Sequence, residues 1–158
     1  MTAATALVVT GPPPAGLGAR AVAVHDALVA RTLAVARAVA DRVERTDAVA
    51  AVGRGPLVVL PAICPRLGTG HVAAALADLA AGCDAAYGPT LEGDWYLAAL
   101  AAPRADLLTG NPFTVAREHD VEVGLLRHER ALRTPADAAA FLADPLTPAE
   151  VRAALAGA

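Results

Sequence analysis

Residues 57–100 decide the fold of this chain, and they read LVVLPAICPRLGTGHVAAALADLAAGCDAAYGPTLEGDWYLAAL. The four apolar residues at its start are typical of a strand buried on both faces, as found in parallel sheets covered by helices. A Cys-Pro turn follows, and Thr69 is a suitable N-cap for a helix that Gly82 ends. We predict a strand at Leu57–Leu60, a helix from Thr69 to Ala81, a strand at Cys83–Tyr87, a loop at Gly88–Asp94 and a strand at Trp95–Leu100.

The segments on either side of residues 57–100 also alternate between predicted strands and predicted helices. Residues 6–10 form another continuous apolar run, and the loop of residues 11–18, rich in glycine and proline, follows at the carboxyl end, where α/β sheets bind ligands. Apolar residues then recur at helical spacing from Ala21 to about Glu44. We further predict a strand at Ala6–Thr10, a short strand at Ala48–Val52, a helical turn toward Leu108, a strand at Val121–Leu126, a helix beginning at Thr134-Pro135 and a helix with the capping-box spacing Thr147 to Glu150.

Strands that alternate with helices imply a mainly parallel sheet with helices on both faces. At 158 residues the chain has the size of one domain, so we expect a single α/β domain over residues 1–158, folded as a three-layer αβα sandwich. Hydrophobic residues make up 56% of the chain and aromatic residues only 3%. The core must therefore be built from Ala, Val and Leu, which favours close packing of helices on the sheet.

Composition excludes several classes of function. The net charge is −3 and the basic residues are scattered arginines, which argues against a nucleic-acid partner. Ser, Gln and Lys do not occur, so a serine nucleophile and a lysine Schiff base are excluded. We find neither a signal peptide nor a membrane-spanning run, and we expect two buried thiols in a reducing cytoplasm.

Two acidic residues are candidates for a general base or a metal ligand. Glu92 and Asp94 flank Gly93 in a loop that opens into a strand, although a solvated turn is the alternative interpretation. Trp95 and Tyr96 come next and must point to opposite faces of that strand. We expect one of them in the core and the other in the cleft. Trp95 would either stack on a sugar or base in the cleft or fill the core.

The first loop is a candidate anion site. Gly11, Gly16 and Gly18 allow its backbone unusual conformations, and Arg20 begins the long helix directly after it. Arg20 would bind an anion together with helical N–H groups, or it is an exposed arginine without a ligand.

The turn after the second apolar run contains Cys64, which we place at the ligand-binding edge. A nucleophilic Cys64 paired with His71 is one interpretation, and a packing cysteine is the preferred one. Cys83, at a predicted strand start, is expected to be buried and inert. The remaining histidines have no spacing typical of a zinc site, so no metal is expected.

Two motifs, PAICPRL at residues 61–67 and GPTLEGDWYL at residues 88–97, are similar to signatures of a known family. The radical-SAM/selenodomain-associated transferases, nucleotide-diphospho-sugar-transferase-like proteins of GT-A fold, have Gly-Ser/Thr-Asp-Cys-Pro-x-Leu and Gly-Pro-x-x-Asp-Gly-Gly-Tyr-Tyr-Leu at these places. Their opening Ala-Pro-x-Pro-Gly-x-x-Lys-Thr-Arg resembles residues 11–20, their Gly-Ile-Pro-Trp resembles residues 110–113, and their Asp-Val-Asp-Thr-Pro-Glu-Asp resembles residues 131–137.

The resemblance implies acidic residues that hold a divalent cation against nucleotide phosphates. This chain lacks acidic residues at those positions. The corresponding positions are Ile63, Ala131 and Arg133, none of which offers the oxygen ligand that a hard cation requires. Gly18 stands where the first loop of the family has its lysine. About a dozen residues, 45–56, replace a strand-helix-strand section, which implies a shortened sheet.

Three hypotheses follow from the resemblance and its departures. The first is a degenerate member without metal or cofactor, which binds a nucleotide, nucleotide-sugar or protein partner. The second is a metal-independent glycosyl- or nucleotidyltransferase that uses Arg20 and Arg133 against phosphate charge and Glu92 or Asp94 as base. The third is a structural homodimer formed through the alanine-rich long helix. The expected ligand-binding residues are Gly11, Gly16, Gly18, Arg20, Cys64, Trp95 and Arg133.

Overall fold

A central sheet of six strands organises the computed structural model, which describes residues 3–157. The strands are β1 (Thr5–Val9), β2 (Arg42–Thr46), β3 (Leu57–Pro61), β4 (Ala85–Pro89), β5 (Trp95–Leu100) and β6 (Val123–Leu125). The helices are α1 (Ala21–Val39), α2 (Thr69–Ala80), α3 (Val115–His119), α4 (Pro135–Ala143) and α5 (Ala149–Ala156), with 3-10 turns at Gly18–Arg20 and Ala105–Leu108.

The strand order is β2-β1-β3-β5-β4-β6, with five strands in one direction and β5 reversed. β1 pairs in parallel with β2 and β3, β4 pairs in parallel with β6, and β5 lies antiparallel between β3 and β4. The predicted α/β fold with a mainly parallel sheet is confirmed.

One face of the sheet is covered by α1 and α2. Side chains that point to this face, among them Val8, Leu60 and Tyr96, pack against Val35 of α1 and Val72 of α2, and all five are buried. Alanines at many of the other contact positions let the helix backbones approach the sheet closely, as the composition predicts.

The opposite face is covered by shorter elements. Val59 and Trp95 point to this side and pack with Leu107 of the second 3-10 turn and Val115 of α3. The sequence analysis did not predict α3, a helix of five residues whose first turn lacks a side-chain cap. It ends at Asp120, which has a left-handed backbone conformation with φ of 52°.

The tail helices pack against α1 and against one another. Leu28 of α1, Phe141 of α4 and Val151 of α5 share one buried cluster with Leu132. The outward face of α1 carries small or charged residues, apart from Val22, which is 62% exposed. Formation of a homodimer through this helix stays a prediction.

The first helix is shorter than predicted. It ends at Val39, and Ala40 is extended, with φ of −114° and ψ of 146°. The predicted strand at residues 48–52 is wrong, because the strand lies earlier, at Arg42–Thr46. This edge strand, RVERT, has one apolar residue among charged and polar ones, so its sequence carries no clear strand pattern.

Two predicted helix caps also differ. Helix α2 has Gly68 rather than Thr69 at the N-cap. The N-cap of α5 is Pro148 without a side-chain hydrogen bond, while the Thr147 hydroxyl donates to the carbonyl of Phe141 at 2.7 Å. The Thr147 hydroxyl, which was predicted to cap α5, therefore forms a hydrogen bond with α4 instead. Within the described range, no helix combines the length and apolar character needed to span a membrane.

Candidate functional site

The loops predicted to bind a ligand meet at one edge of the sheet. β1, β3 and β4 all end there, and because β5 is reversed, its first residue lies there as well. The Leu132 N–H donates to the Ile63 carbonyl at 2.7 Å, which attaches the segment before α4 to the turn after β3. A Cβ at Gly16 would lie 3.1 Å from Cγ of Pro135, so the first loop approaches that segment closely.

Arg133 contacts both acids of the β4–β5 loop. Its Nη2 and Nη1 lie 2.6 Å and 3.2 Å from the two carboxylate oxygens of Asp94, which is the two-pronged geometry that a guanidinium favours. Nη1 lies 3.9 Å from Oε2 of Glu92. The structure thus brings together three of the predicted site residues.

The two acids differ in their surroundings. Asp94 also accepts a hydrogen bond from the Thr90 hydroxyl. Burial favours its neutral form, but the hydrogen bonds from Arg133 and Thr90 and the charge of Arg133 outweigh this and hold the pKa of Asp94 below its ordinary value of 3.8. The two side chains are similarly exposed, at 45% for Glu92 and 52% for Asp94, but the carboxylate of Glu92 has only the single, longer contact with Arg133. Glu92 therefore has the more available carboxylate.

The first loop has the predicted glycine conformations, and Arg20 points away from it. Gly11, Gly16 and Gly18 have φ of 60°, 76° and 58°, a region that favours glycine. Nε2 of His25 lies 3.0 Å from the carbonyls of both Thr10 and Gly11 at the start of the loop. Nη1 of Arg20 donates to the carbonyl of Leu155 at 2.7 Å, in the last turn of α5.

Cys64 and Trp95 lie inside the protein. Cys64 is 2% exposed, and burial, with a smaller contribution from the charge of Glu129, raises the pKa of its thiol to about 12. Trp95 and Tyr96 do point to opposite faces, but both are buried, at 8% and 0% exposure. The expectation that one of them faces the cleft is wrong, because both faces of the sheet are covered at this strand.

The residues that match the late family signature hold the helix α4 in place. Thr134 is its N-cap, Pro135 is its first residue, and Asp137 accepts hydrogen bonds from the backbone N–H groups of Arg133 and Thr134 at 3.2 Å and 3.0 Å. In the other signature, Cys64 and Leu67 are similarly buried. The motif positions kept in this chain therefore serve packing and capping.

The positions where the resemblance implies metal ligands are apolar or basic. Ile63 is partly buried against the core and Ala131 is fully buried. Among residues 3–157, no three His, Cys, Asp or Glu side chains stand together in a way that could hold a metal ion.

A polar cluster that the sequence analysis missed lies next to this edge. Nε2 of His71 and Nε of Arg127 both contact Oε1 of Glu129, at 3.1 Å and 2.8 Å, and the Glu129 side chain is only 7% exposed. Thr90 and Glu129 form an isolated parallel bridge, so the cluster is adjacent to the Asp94 loop. His71 and Glu129 are 58 residues apart in sequence, and no spacing rule connects them.

Comparison with solved structures identifies the fold. The chain is similar to a crystal structure from Desulfovibrio desulfuricans G20 described as a "putative nucleotide-diphospho-sugar transferase", with a TM-score of 0.71 and 16% identity. The match covers 99% of this chain and 95% of that one, so the two are alike in extent despite the short connection at residues 45–56. The fold is thus nucleotide-diphospho-sugar-transferase-like. No family model and no curated protein matches the chain.

Proposed function

We propose that this protein is a metal-independent binding module for a nucleotide or nucleotide-sugar. The ligand would bind at the carboxyl edge of the sheet, between the first loop and the β4–β5 loop. The observation that carries the proposal is the Arg133 guanidinium, which lies at this edge, held by Asp94 at 2.6 Å and 3.2 Å. It stands where the resemblance implies a metal-binding acid, and a guanidinium fork matches a phosphate group as well as a carboxylate.

The ion pair between Arg133 and Asp94 can break at a low cost in free energy when a ligand binds. The side chains of Arg133 and Asp94 are 35% and 52% exposed. Ion pairs of such exposure are worth about 1 kcal/mol or less, so a phosphate that brings more negative charge competes effectively for the guanidinium. Arg20 makes its own contact with the end of α5, which leaves Arg133 as the principal cation in this proposal.

The proposal is tested by calorimetric titration with UDP- and GDP-sugars, with EDTA and then with Mn²⁺. We expect equal affinity in both conditions, and at least a tenfold loss in Arg133→Ala. Arg54→Ala, an exposed arginine in the β2–β3 connection, is the matched control and should bind normally. Affinity that depends on Mn²⁺, or the absence of binding by any nucleotide-sugar, would rule the proposal out.

A second candidate is a metal-independent transferase with Glu92 as its general base. It is favoured by the contrast between the two loop acids, since the carboxylate of Glu92 has only the 3.9 Å contact with Arg133, while Asp94 is hydrogen-bonded to both Arg133 and Thr90. A positioned general base contributes about 10²–10⁴-fold to a rate. Glu92→Gln should therefore reduce single-turnover transfer from a nucleotide-sugar by about that factor. Turnover that survives Glu92→Gln unchanged would eliminate Glu92 as the base.

A further inference from the structure

A second concave site lies beside the one proposed above. It is a cavity of about 620 Å³ between the amino end of α2 and the segment that follows β6, and its lining includes Arg66, Gly70, His71, Leu126 and Arg127. This volume lies within the range of small-molecule sites in proteins, about 300–1,000 Å³. Glu92, Asp94 and Arg133 are not among its lining residues, so it is separate from the site of the proposed function.

The charges around this cavity are segregated. Its lining contains two arginines, Arg66 and Arg127, and no carboxylate. The nearby acids Glu129 and Asp144 line a neighbouring cavity of about 240 Å³ that shares Arg66. The arginines therefore line this cavity, while the acids that contact them line the neighbouring one. This arrangement favours an anionic ligand on the arginine side, although the whole chain has a net charge of −3.

Both guanidinium groups keep capacity for a ligand. Arg127 contacts Glu129 through Nε at 2.8 Å, and its side chain is 66% exposed. Within the described part of the chain, its two terminal nitrogens make no hydrogen bond. Nη1 of Arg66 lies 3.7 Å from Asp144, beyond ordinary hydrogen-bond distance.

His71 holds this arrangement in place. Its Nδ1 accepts a hydrogen bond from the Gly68 N–H at 3.1 Å. Its Nε2 lies 3.1 Å from Oε1 of Glu129 and 3.3 Å from Nε of Arg127, and the same Glu129 oxygen contacts Arg127 at 2.8 Å. His71 is therefore a positioning residue that fixes Glu129 and, through it, the Nε side of Arg127.

The backbone near Gly70 is open to a ligand. A Cβ added at Gly70 would meet no protein atom within 4 Å, so the surface beside it is unobstructed. Gly70 lies in the first turn of α2, where backbone N–H groups lack helical acceptors. On the opposite side, Leu126 offers an apolar surface for the carbon portion of a ligand.

We infer that this cavity binds a small phosphorylated molecule, with its phosphate between Arg66 and Arg127 and its carbon portion against Leu126. Two guanidinium groups that line the same cavity supply directed donors for a phosphate or pyrophosphate. The site would hold this ligand whether or not a nucleotide occupies the Arg133 site.

The test is calorimetric titration of the full chain with inorganic pyrophosphate, with citrate as a carboxylate comparison. We expect saturable pyrophosphate binding, at least tenfold weaker in Arg66→Ala and in Arg127→Ala, and unchanged in Arg54→Ala. The Arg133 site can also take a phosphate, so the deciding titrations are made in the Arg133→Ala background. Pyrophosphate binding should persist there and should still weaken at least tenfold on Arg66→Ala or Arg127→Ala, which separates this inference from the proposed function. Absence of saturable binding, a loss confined to Arg133→Ala, or citrate binding of equal strength would each overturn it.

Gly70→Asp gives a second test that leaves both arginines in place. The new carboxylate is placed at the lining of the cavity, and it also lies in the first turn of a helix, where negative charge is favourable. The variant should fold at least as stably as the wild type in urea denaturation and lose pyrophosphate binding by tenfold or more. Full binding by the folded variant would contradict the inference.

Discussion

The hydroxyl group of Thr134 and the carboxylate of Asp137 cap helix α4 together. The hydroxyl donates to Oδ2 of Asp137 at 2.8 Å and accepts a hydrogen bond from the Asp137 N–H at 3.2 Å. Oδ1 of Asp137 also accepts from Nη1 of Arg130 at 3.0 Å, and the residue is 5% exposed. The cap thus links three positions of one segment and holds a buried charge with several donors.

The Asp137 cap predicts a specific dependence of stability on pH. Burial favours the neutral carboxyl, but the hydrogen bonds from Thr134, Arg130 and the backbone outweigh it and lower the pKa of Asp137 from 3.8. The stabilisation is therefore complete above 3.8 and is lost as the pH falls through the lower pKa of the folded state. At neutral pH, Asp137→Asn should lower the free energy of unfolding by about 1.5–3 kcal/mol.

Urea denaturation over a range of pH checks this prediction. The difference in free energy of unfolding between wild type and Asp137→Asn should become smaller as the pH falls. Asp47→Asn, an exposed control, should have the wild-type free energy of unfolding at every pH. A difference that does not change with pH would mean that the charge of Asp137 does not contribute to stability.

The two cysteines should differ strongly in reactivity. With a pKa of about 12, the Cys64 thiol is ionised in roughly one molecule in 10⁵ at neutral pH, and it is also shielded from solvent. The prediction that Cys83 is buried is wrong, because β4 begins only at Ala85 and Cys83 lies partly exposed before it. Burial and nearby acids, Asp78 first among them, still raise its pKa. Iodoacetamide followed by mass spectrometry should label Cys83 in the native protein and Cys64 only after unfolding in urea. Rapid native labelling of Cys64 would revive its interpretation as a nucleophile.

Gly88 should tolerate no side chain. It pairs with Leu97 in the β4–β5 ladder, and a Cβ there would collide with the ring of the buried Tyr96. Gly88→Ala should lower the free energy of unfolding by about 1–3 kcal/mol, the usual cost of overpacking. Gly70→Ala is the matched control, since its Cβ meets open space and alanine favours a helix by up to about 1 kcal/mol. Equal urea midpoints for the two variants would refute this account of the β4–β5 hairpin.

Much of the fold could be predicted from the sequence because its strands are continuous apolar runs. Leu57–Pro61 and Trp95–Leu100 lie where this signal places them. The signal fails for the edge strand Arg42–Thr46, which has a single apolar residue among charged and polar ones. Pairing with β1, a contact of the folded state, decides its conformation.

The candidate site was predicted only in part, because contacts that form only in the folded state leave no local pattern in the sequence. The first loop and the β4–β5 loop carry local signals, namely glycines and acids at strand ends. Trp95 is buried because a 3-10 turn and α3 cover its face, and the sequence analysis did not predict α3. The contact between His71 and Glu129 depends on β4 and β6 becoming neighbours, which no local pattern reveals.

The reversed strand β5 also sets an order of assembly for the chain. β4 and β5 are joined by the short connection at residues 90–94, so their ladder can close as a hairpin, whereas β1 must find β3 across an entire helix and the edge strand β2. Short loops close faster and at lower entropic cost than long ones. We therefore expect the hairpin with Gly88 and Tyr96 to form early, and the parallel pairing of β1 with β3, next to the glycine-rich first loop, to form later.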